Sequence, residues 1–202
     1  TLPSSVTAIG IGAFGGCSGL TSITVPSSVT SIGSRVFMSC SGLTSITIPS
    51  SVTIISDFAF DHCSALTSIT IPPSVAIIGS AAFQACIGLT SIAIPPLVSS
   101  IRDYTFSGCN NLISIEFPPA LESIGDYAFS GCSKLRSVHF AYASKLTSIG
   151  AYAFQDCTNL RVFWIPENMV SVGEYAFSGC TSLWLLAILE GVTSIGEYAF
   201  QD

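Results

Sequence analysis

Apolar and polar positions along this chain follow one pattern, repeated. Leu43-Thr-Ser-Ile46-Thr-Ile48 leads into Pro49, a second apolar pair at Val52 and Ile55, Phe60, and Cys63 three residues later. The inward slots of the first segment recur as Leu20, Ile23 and Val25, as Leu112, Ile115 and Phe117, and as Leu183, Leu186 and Ile188. Phe falls at 14, 37, 60, 83, 106, 129, 154, 177 and 200, and Cys at 17, 40, 63, 86, 109, 132, 157 and 180. Successive Phe residues are 23 apart except for the interval of 25 between Phe129 and Phe154. A fixed period in the twenties predicts a solenoid whose units bury their apolar faces only against their neighbours.

Within a unit, alternation at Ile46 and Ile48 predicts a half-buried strand. Stacked units would pair these strands in parallel at about 4.8 Å per rung, a sheet on the order of 35–40 Å over eight rungs. Pro at 26, 49, 72, 95, 118 and 166 ends the strand where no N–H is needed. The second apolar pair, Val29/Ile32 and its equivalents through Val192/Ile195, predicts a shorter strand on the opposite side. Gly33, Gly79, Gly125, Gly150, Gly173 and Gly196 follow it, which predicts a left-handed or crowded backbone. Ala-Phe then predicts a tight helical or 3₁₀ turn running to the Cys. The two extra residues fall within Ala141-Tyr-Ala-Ser-Lys145, where the Pro is missing, and predict a bulged loop.

The run L-x-x-I-x-I-P-x-S-V-x-x-I-G-x-x-A-F-x-x-C resembles the BspA-like class of leucine-rich repeats over essentially the whole chain. The resemblance implies a right-handed coil with a parallel sheet on one face and short strands and 3₁₀ or helical turns on the other. It also implies a cell-surface or secreted protein used in adhesion and in host or matrix binding, with no family-wide catalytic residues to place. Residues 1–202 form one array of about eight repeats. The chain opens and stops in mid-repeat without polar caps, so a fragment truncated at both ends is expected.

Composition narrows the partners. Charged residues make up 9% of the chain and apolar ones 49%, yet the longest run of large apolar residues, Trp184-Leu-Leu-Ala-Ile-Leu189, is far short of the roughly 18–20 that span a bilayer. The apolar content therefore fills the inside of a water-soluble coil. Net charge is −6 and the six basic residues are scattered, so neither nucleic acid nor an anionic membrane is an expected partner.

Each candidate chemistry competes with the repeat itself. Eight cysteines in one inward row predict buried free thiols, because neighbours one rung apart do not meet the Cβ spacing of a disulfide. Disulfides and metal ligation are the alternatives, the latter disfavoured without paired C-x₂₋₄-C spacing. Gly10-Ile-Gly12-Ala-Phe-Gly15 matches a dinucleotide fingerprint only because Gly10 and Phe14 are repeat positions. His62, beside Asp61 and Cys63, reads as a solvated turn residue. None of Asn110, Asn111, Asn159 and Asn168 begins a glycosylation sequon. The Ser/Thr ladders at Ser22/Thr24, Ser45/Thr47 and Ser68/Thr70 admit an ordered-water or ice-binding surface, but they lapse after three rungs. Asp103-Tyr104, Asp126-Tyr127, Ala151-Tyr152, Glu174-Tyr175 and Glu197-Tyr198 line the turn side, and their acidic and tyrosyl residues are expected to solvate it. One carboxylate per rung is too few for calcium.

The outward rows of the main strand carry the sharper signal. They hold Ser and Thr in the N-terminal half but Glu116, Arg136, His139, Arg161, Trp164 and Trp184 in the C-terminal half. Core packing does not require those types on an exposed face, and Arg and Trp are enriched at binding hot spots. These six residues are the expected contact with a protein or glycan partner. The alternatives are neutral variation, or tryptophans that pack against further repeats. The functional expectation is a non-enzymatic, secreted or cell-surface recognition or adhesion module with no cofactor and no metal. An enzyme is disfavoured because no pocket-forming insertion interrupts the coil. The alternative expectation is a structural strut that self-associates end to end in a fibre, sheath or matrix.

Overall fold

The computed structural model describes residues 2–141, 144–187 and 190–202. The chain winds as a parallel-strand solenoid. One face carries β1 (Ser22–Thr24), β3 (Ser45–Thr47), β7 (Ser114–Phe117), β9 (Ser137–Phe140), β11 (Val162–Trp164) and β13 (Leu185–Ala187). The opposite face carries two-residue strands: β2 (Ser31–Ile32), β4 (Ile54–Ile55), β5 (Ile77–Ile78), β6 (Ser100–Ile101), β8 (Ser123–Ile124), β10 (Ser148–Ile149), β12 (Ser171–Val172) and β14 (Ser194–Ile195). Partners in register lie 23 residues apart, as in Ser22↔Ser45 and Ser148↔Ser171, except across the insertion, where Ser148 pairs with Ser123. The coil therefore absorbs both extra residues between β8 and β10 without a slip in facing. Of the bulged loop expected at 141–145, Tyr142 and Ala143 lie outside the described residues.

The main sheet is not the continuous ladder expected. It divides into β1-β3 and β7-β9-β11-β13, and between them pairing is reduced to an isolated Ala93↔Glu116 bridge and single backbone bonds, Thr90 N to Thr67 O and Ile113 N to Thr90 O (both 3.1 Å). Ile69, Ile71, Ile92 and Ile94 still turn inward there and are buried, so packing holds the rung where pairing lapses. No side chain on those two rungs accounts for the lapse. The short strands opposite form the more continuous stack, as β2-β4-β5 and β6-β8-β10-β12-β14.

The turn expected as helical or 3₁₀ is instead a chain of β-turns, with no helix among the described residues. Val36 N donates to Gly33 O (3.4 Å), Met38 N to Arg35 O (3.1 Å) and Cys40 N to Phe37 O (3.1 Å), closing successive turns. The intervening N–H groups donate to the next coil instead: Arg35 N to Asp57 O, Phe37 N to Ala59 O and Ser39 N to Asp61 O, at 2.7–3.1 Å. A helix would spend those donors within its own segment, whereas the stack offers a carbonyl for every second one. The geometry puts two residues per coil at positive φ. One column runs Arg35, Phe58, Ala81, Tyr104, Tyr127, Tyr152, Tyr175 and Tyr198 (φ 50–58°). The other includes Ser39, His62, Ala85 and Asp156, with Gly16, Gly108, Gly131 and Gly179 in the remaining places. Gly79, Gly125, Gly150, Gly173 and Gly196 answer crowding rather than handedness: a Cβ on Gly173 would lie 2.4 Å from Gly150 C and 2.5 Å from Ala151 N, whereas Gly33 has room and Ser56 and Arg102 fill the same place in their coils.

Phe37 through Phe177 form a fully buried column whose rings stack at centroid spacings of 5.1–5.6 Å. Beside it runs the thiol row. All eight cysteines are free, and Cys40 through Cys180 are buried while Cys17 in the first coil is exposed. Each buried Sγ donates to the Phe carbonyl of the preceding coil, as Cys63 to Phe37 O, Cys86 to Phe60 O and Cys109 to Phe83 O, all at 3.1 Å. That carbonyl already accepts the N–H of its own coil's Cys, so the thiol takes its second lone pair.

Candidate functional site

The backbone ladder aligns the predicted face. Arg136 N donates to Ile113 O (2.8 Å), Arg161 N to Arg136 O (3.3 Å) and Trp184 N to Arg161 O (3.1 Å), placing Ile113, Arg136, Arg161 and Trp184 in one row, one per coil. Glu116 stands opposite His139 in the β7–β9 register, two residues along the strand from Ser114 and Ser137. Trp164 stands opposite Ala187 in the β11–β13 register. All six predicted residues are exposed, Trp164 at 58% and Trp184 at 71%. The face thus brings Arg136, Arg161 and Trp184 together in one row and Glu116 with His139 in another. Ile113, 46% exposed, belongs to the first row as well, in the outward place that Thr21, Thr44, Thr67 and Thr90 fill in earlier coils, and was left out of the predicted contact.

The two rows part at one place. β7 and β9 share four register pairs and β11 and β13 three, but β9 and β11 share only Ser137↔Val162. Beyond that pair the strands diverge, and a half-open cavity of about 500 Å³ lies between them. His139 and Phe140 form one side, Trp164 and Pro166 the other, with Glu167 and Asn168 at the following turn. Asn168 Nδ2 donates to Ser144 O (2.7 Å), tying the far end of the wedge together, while His139 Nε2 sits 3.0 Å from Ser137 Oγ. The expectation that no pocket interrupts the coil is therefore wrong. The divergence falls beside the two-residue insertion, and the repeat registers on both sides of it are intact.

Elsewhere the candidate chemistries resolve into the coil. Burial pushes the Cys63 and Cys180 thiols up to about 12, and Cys86, Cys109, Cys132 and Cys157 well above the usual thiol range, with neighbouring thiols adding in the same direction for all but Cys180. Such thiols are neither nucleophiles nor ligands. His62 is exposed, with Nδ1 2.6 Å from Asp61 Oδ1 of the adjacent residue. Among the described residues no three His, Cys, Asp or Glu side chains converge on a metal position, and no helix is long and apolar enough to cross a membrane. The tyrosines of the turn side are more ordered than a solvated row: Tyr104, Tyr127, Tyr152, Tyr175 and Tyr198 stack at 4.6–5.0 Å. The acids before them serve the backbone, Asp103 Oδ1 accepting Asp126 N (2.9 Å) and Asp126 Oδ1 accepting Ala151 N (2.8 Å).

Residues 1–112 and 76–202 match the model of the BspA type leucine rich repeat region. Among solved structures, a leucine-rich repeat protein from Bacteroides ovatus is 30% identical with a TM-score of 0.81, over 99% of this chain and 63% of that one. One from Eubacterium ventriosum is 33% identical with a TM-score of 0.71, over 79% of this chain and 42% of that one. The T. pallidum leucine rich repeat protein is 27% identical with a TM-score of 0.68, over 98% and 84%. The chain thus spans less than two thirds of the length of the first two structures. No curated protein matches it by sequence.

Proposed function

Since this chain belongs to the BspA-type leucine-rich repeat family, we propose that it is a non-enzymatic recognition module that grips a macromolecular partner at a cell surface or in a matrix, through the C-terminal half of its main sheet. The observation that carries this is the row Ile113, Arg136, Arg161, Trp184, with Glu116, His139 and Trp164 beside it. It is an apolar, cationic and aromatic patch on a sheet whose N-terminal half shows hydroxyls at every outward place but Ala93. Exposed indoles lose little conformational entropy on contact and bury much area, and guanidinium groups add directional donors, so a short row can anchor a large partner. The coil holds the row at fixed spacing, which lowers the ordering cost of binding.

The test is an array of matrix proteins and glycans probed with the chain and with the triple variant Arg136→Ala, Arg161→Ala, Trp184→Ala. Binding that falls at least about tenfold in the variant is expected for a patch of this kind. Equal binding by both proteins removes the assignment. Light scattering on the same samples separates recognition from a self-assembling strut, which would grow with concentration, while the recognition module stays a monodisperse monomer.

A further inference from the structure

The wedge between β9 and β11 has a chemistry the rest of the face lacks. One wall is aromatic, with the indole of Trp164 58% exposed and Pro166 following it on the same strand exit. The other is mixed, with the His139 imidazole and the ring of Phe140. The turn closing the wedge supplies the Glu167 carboxylate and the Asn168 amide, whose Nδ2 is held by Ser144 O, leaving Oδ1 as an acceptor. Among the described residues no Lys or Arg lines the cavity and Glu167 makes no ion pair. An anionic ligand is disfavoured by the carboxylate. A wholly apolar one would leave that carboxylate and the amide desolvated without partners.

We infer that this wedge is a subsite for one neutral sugar ring. A pyranose presents a face of C–H bonds and an edge of hydroxyls. The C–H face suits the electron-rich surface of an indole, and the hydroxyl edge can donate to Glu167 and Asn168 and accept from imidazole or indole N–H. A cavity of about 500 Å³ lies within the ordinary range for small-ligand sites and exceeds one hexose, leaving room for a linked second residue. Its half-open mouth on the sheet face fits the end or branch of a longer glycan. This deepens the recognition reading of the same face and rests on it. The insertion in the repeat then has a consequence: it turns a closed ladder into one that admits a ring.

Trp164 and Trp184 are the two tryptophans of the chain, so Trp184→Phe leaves Trp164 as sole reporter. Neutral monosaccharides and their 1,4-linked dimers are titrated into that protein by indole fluorescence, and into the unaltered chain by calorimetry. A saturable signal with a Kd on the order of 1 mM is expected for about a dozen to two dozen ligand atoms in an open site. It should weaken at least about tenfold in Trp164→Ala and in Asn168→Ala by calorimetry, and persist in Arg136→Ala, whose side chain lies outside the wedge. Trp164 is largely exposed, so its loss leaves the fold intact, checked by an unchanged circular dichroism spectrum. No saturation by any sugar, or saturation that survives both wedge substitutions, overturns the subsite. Saturation by lysine amide in preference to sugars, abolished by Glu167→Gln, also overturns it in favour of a cation site. The two proposals fail separately. Array binding lost in the triple variant with no sugar response sinks only the subsite, whereas a sugar response with a silent array leaves the subsite standing.

Discussion

Tyr152 shows how a residue can hold an unfavourable backbone by its neighbours. Its φ of 57° belongs to the left-handed region, which costs an L-residue with a side chain about 1–2 kcal/mol relative to its right-handed form and costs glycine little. The ring offsets this by stacking on Tyr127 at 4.6 Å and Tyr175 at 4.9 Å, each contact contributing about 0.5–1.5 kcal/mol beyond area burial. Tyr152→Gly removes both the strain and the stacks, while Tyr152→Ala removes the stacks and keeps the strain. The expected order of stability by urea denaturation is therefore Tyr, then Gly, then Ala, with the Ala variant about 1 kcal/mol below the Gly variant. In an ordinary helix or strand Ala exceeds Gly, and that order here would show that the turn column is not left-handed in solution.

At the scale of elements, the two faces of the coil should differ in how firmly they are closed. Strands β6, β8, β10, β12 and β14 pair without a break, whereas on the main face 66–71 and 89–94 are packed but joined only by single backbone bonds, Thr90 N to Thr67 O and Ile113 N to Thr90 O, and by the Ala93↔Glu116 bridge to β7. Native-state hydrogen exchange reads local opening, so the amides of Ile69 and Ile92 should exchange faster than those of Ile101 and Ile124. Equal protection on the two faces would mean that the main ladder is continuous after all. This difference was not legible in the sequence, where Leu66-Thr-Ser-Ile69-Thr-Ile71 reads as well as any other copy. The inward slots were legible because burial imposes a residue type at every copy, Leu66 and Leu89 included. The Phe and Cys columns were legible for the same reason. Chained turns were not: Ala-Phe after Gly fits a helical turn locally, and only the carbonyls of the next coil decide against it. The face proposed for a partner was half legible, since Arg161 and Trp184 stand out against Ser and Thr. The wedge was not, because a two-residue insertion gives its place but not the divergence of the strands beside it.

The molecule as a whole has an alkaline weakness built from its core. Seven thiols, Cys40 through Cys180, are buried in one row and all have pKa values raised, chiefly by burial, with Cys63 and Cys180 reaching about 12. An unfolded chain releases these protons near pH 9, the ordinary thiol value, and the folded chain retains them. Between pH 9 and 12 the unfolded state therefore binds fewer protons than the folded state, and stability falls by about 1.4 kcal/mol per pH unit for each thiol that is still protonated in the folded chain, as Cys63 and Cys180 are up to about 12. Below pH 9 both states are protonated and the thiols impose no slope. Burial raises Tyr127 and Tyr152 as well, which acts in the same direction above pH 10. Domains are stable by only about 5–15 kcal/mol, so several thiols acting together suffice to unfold this one before pH 12. Because each coil contacts only its neighbours and every interior coil carries a thiol, no segment escapes. The urea midpoint should hold level from pH 7 to 8.5 and drop steeply by pH 10.5. Cys109→Ala should begin less stable, from the cavity it leaves, yet fall with a slope shallower by about 1.4 kcal/mol per pH unit. A midpoint that stays level to pH 11, or a slope that Cys109→Ala does not change, would mean that the thiol column meets water.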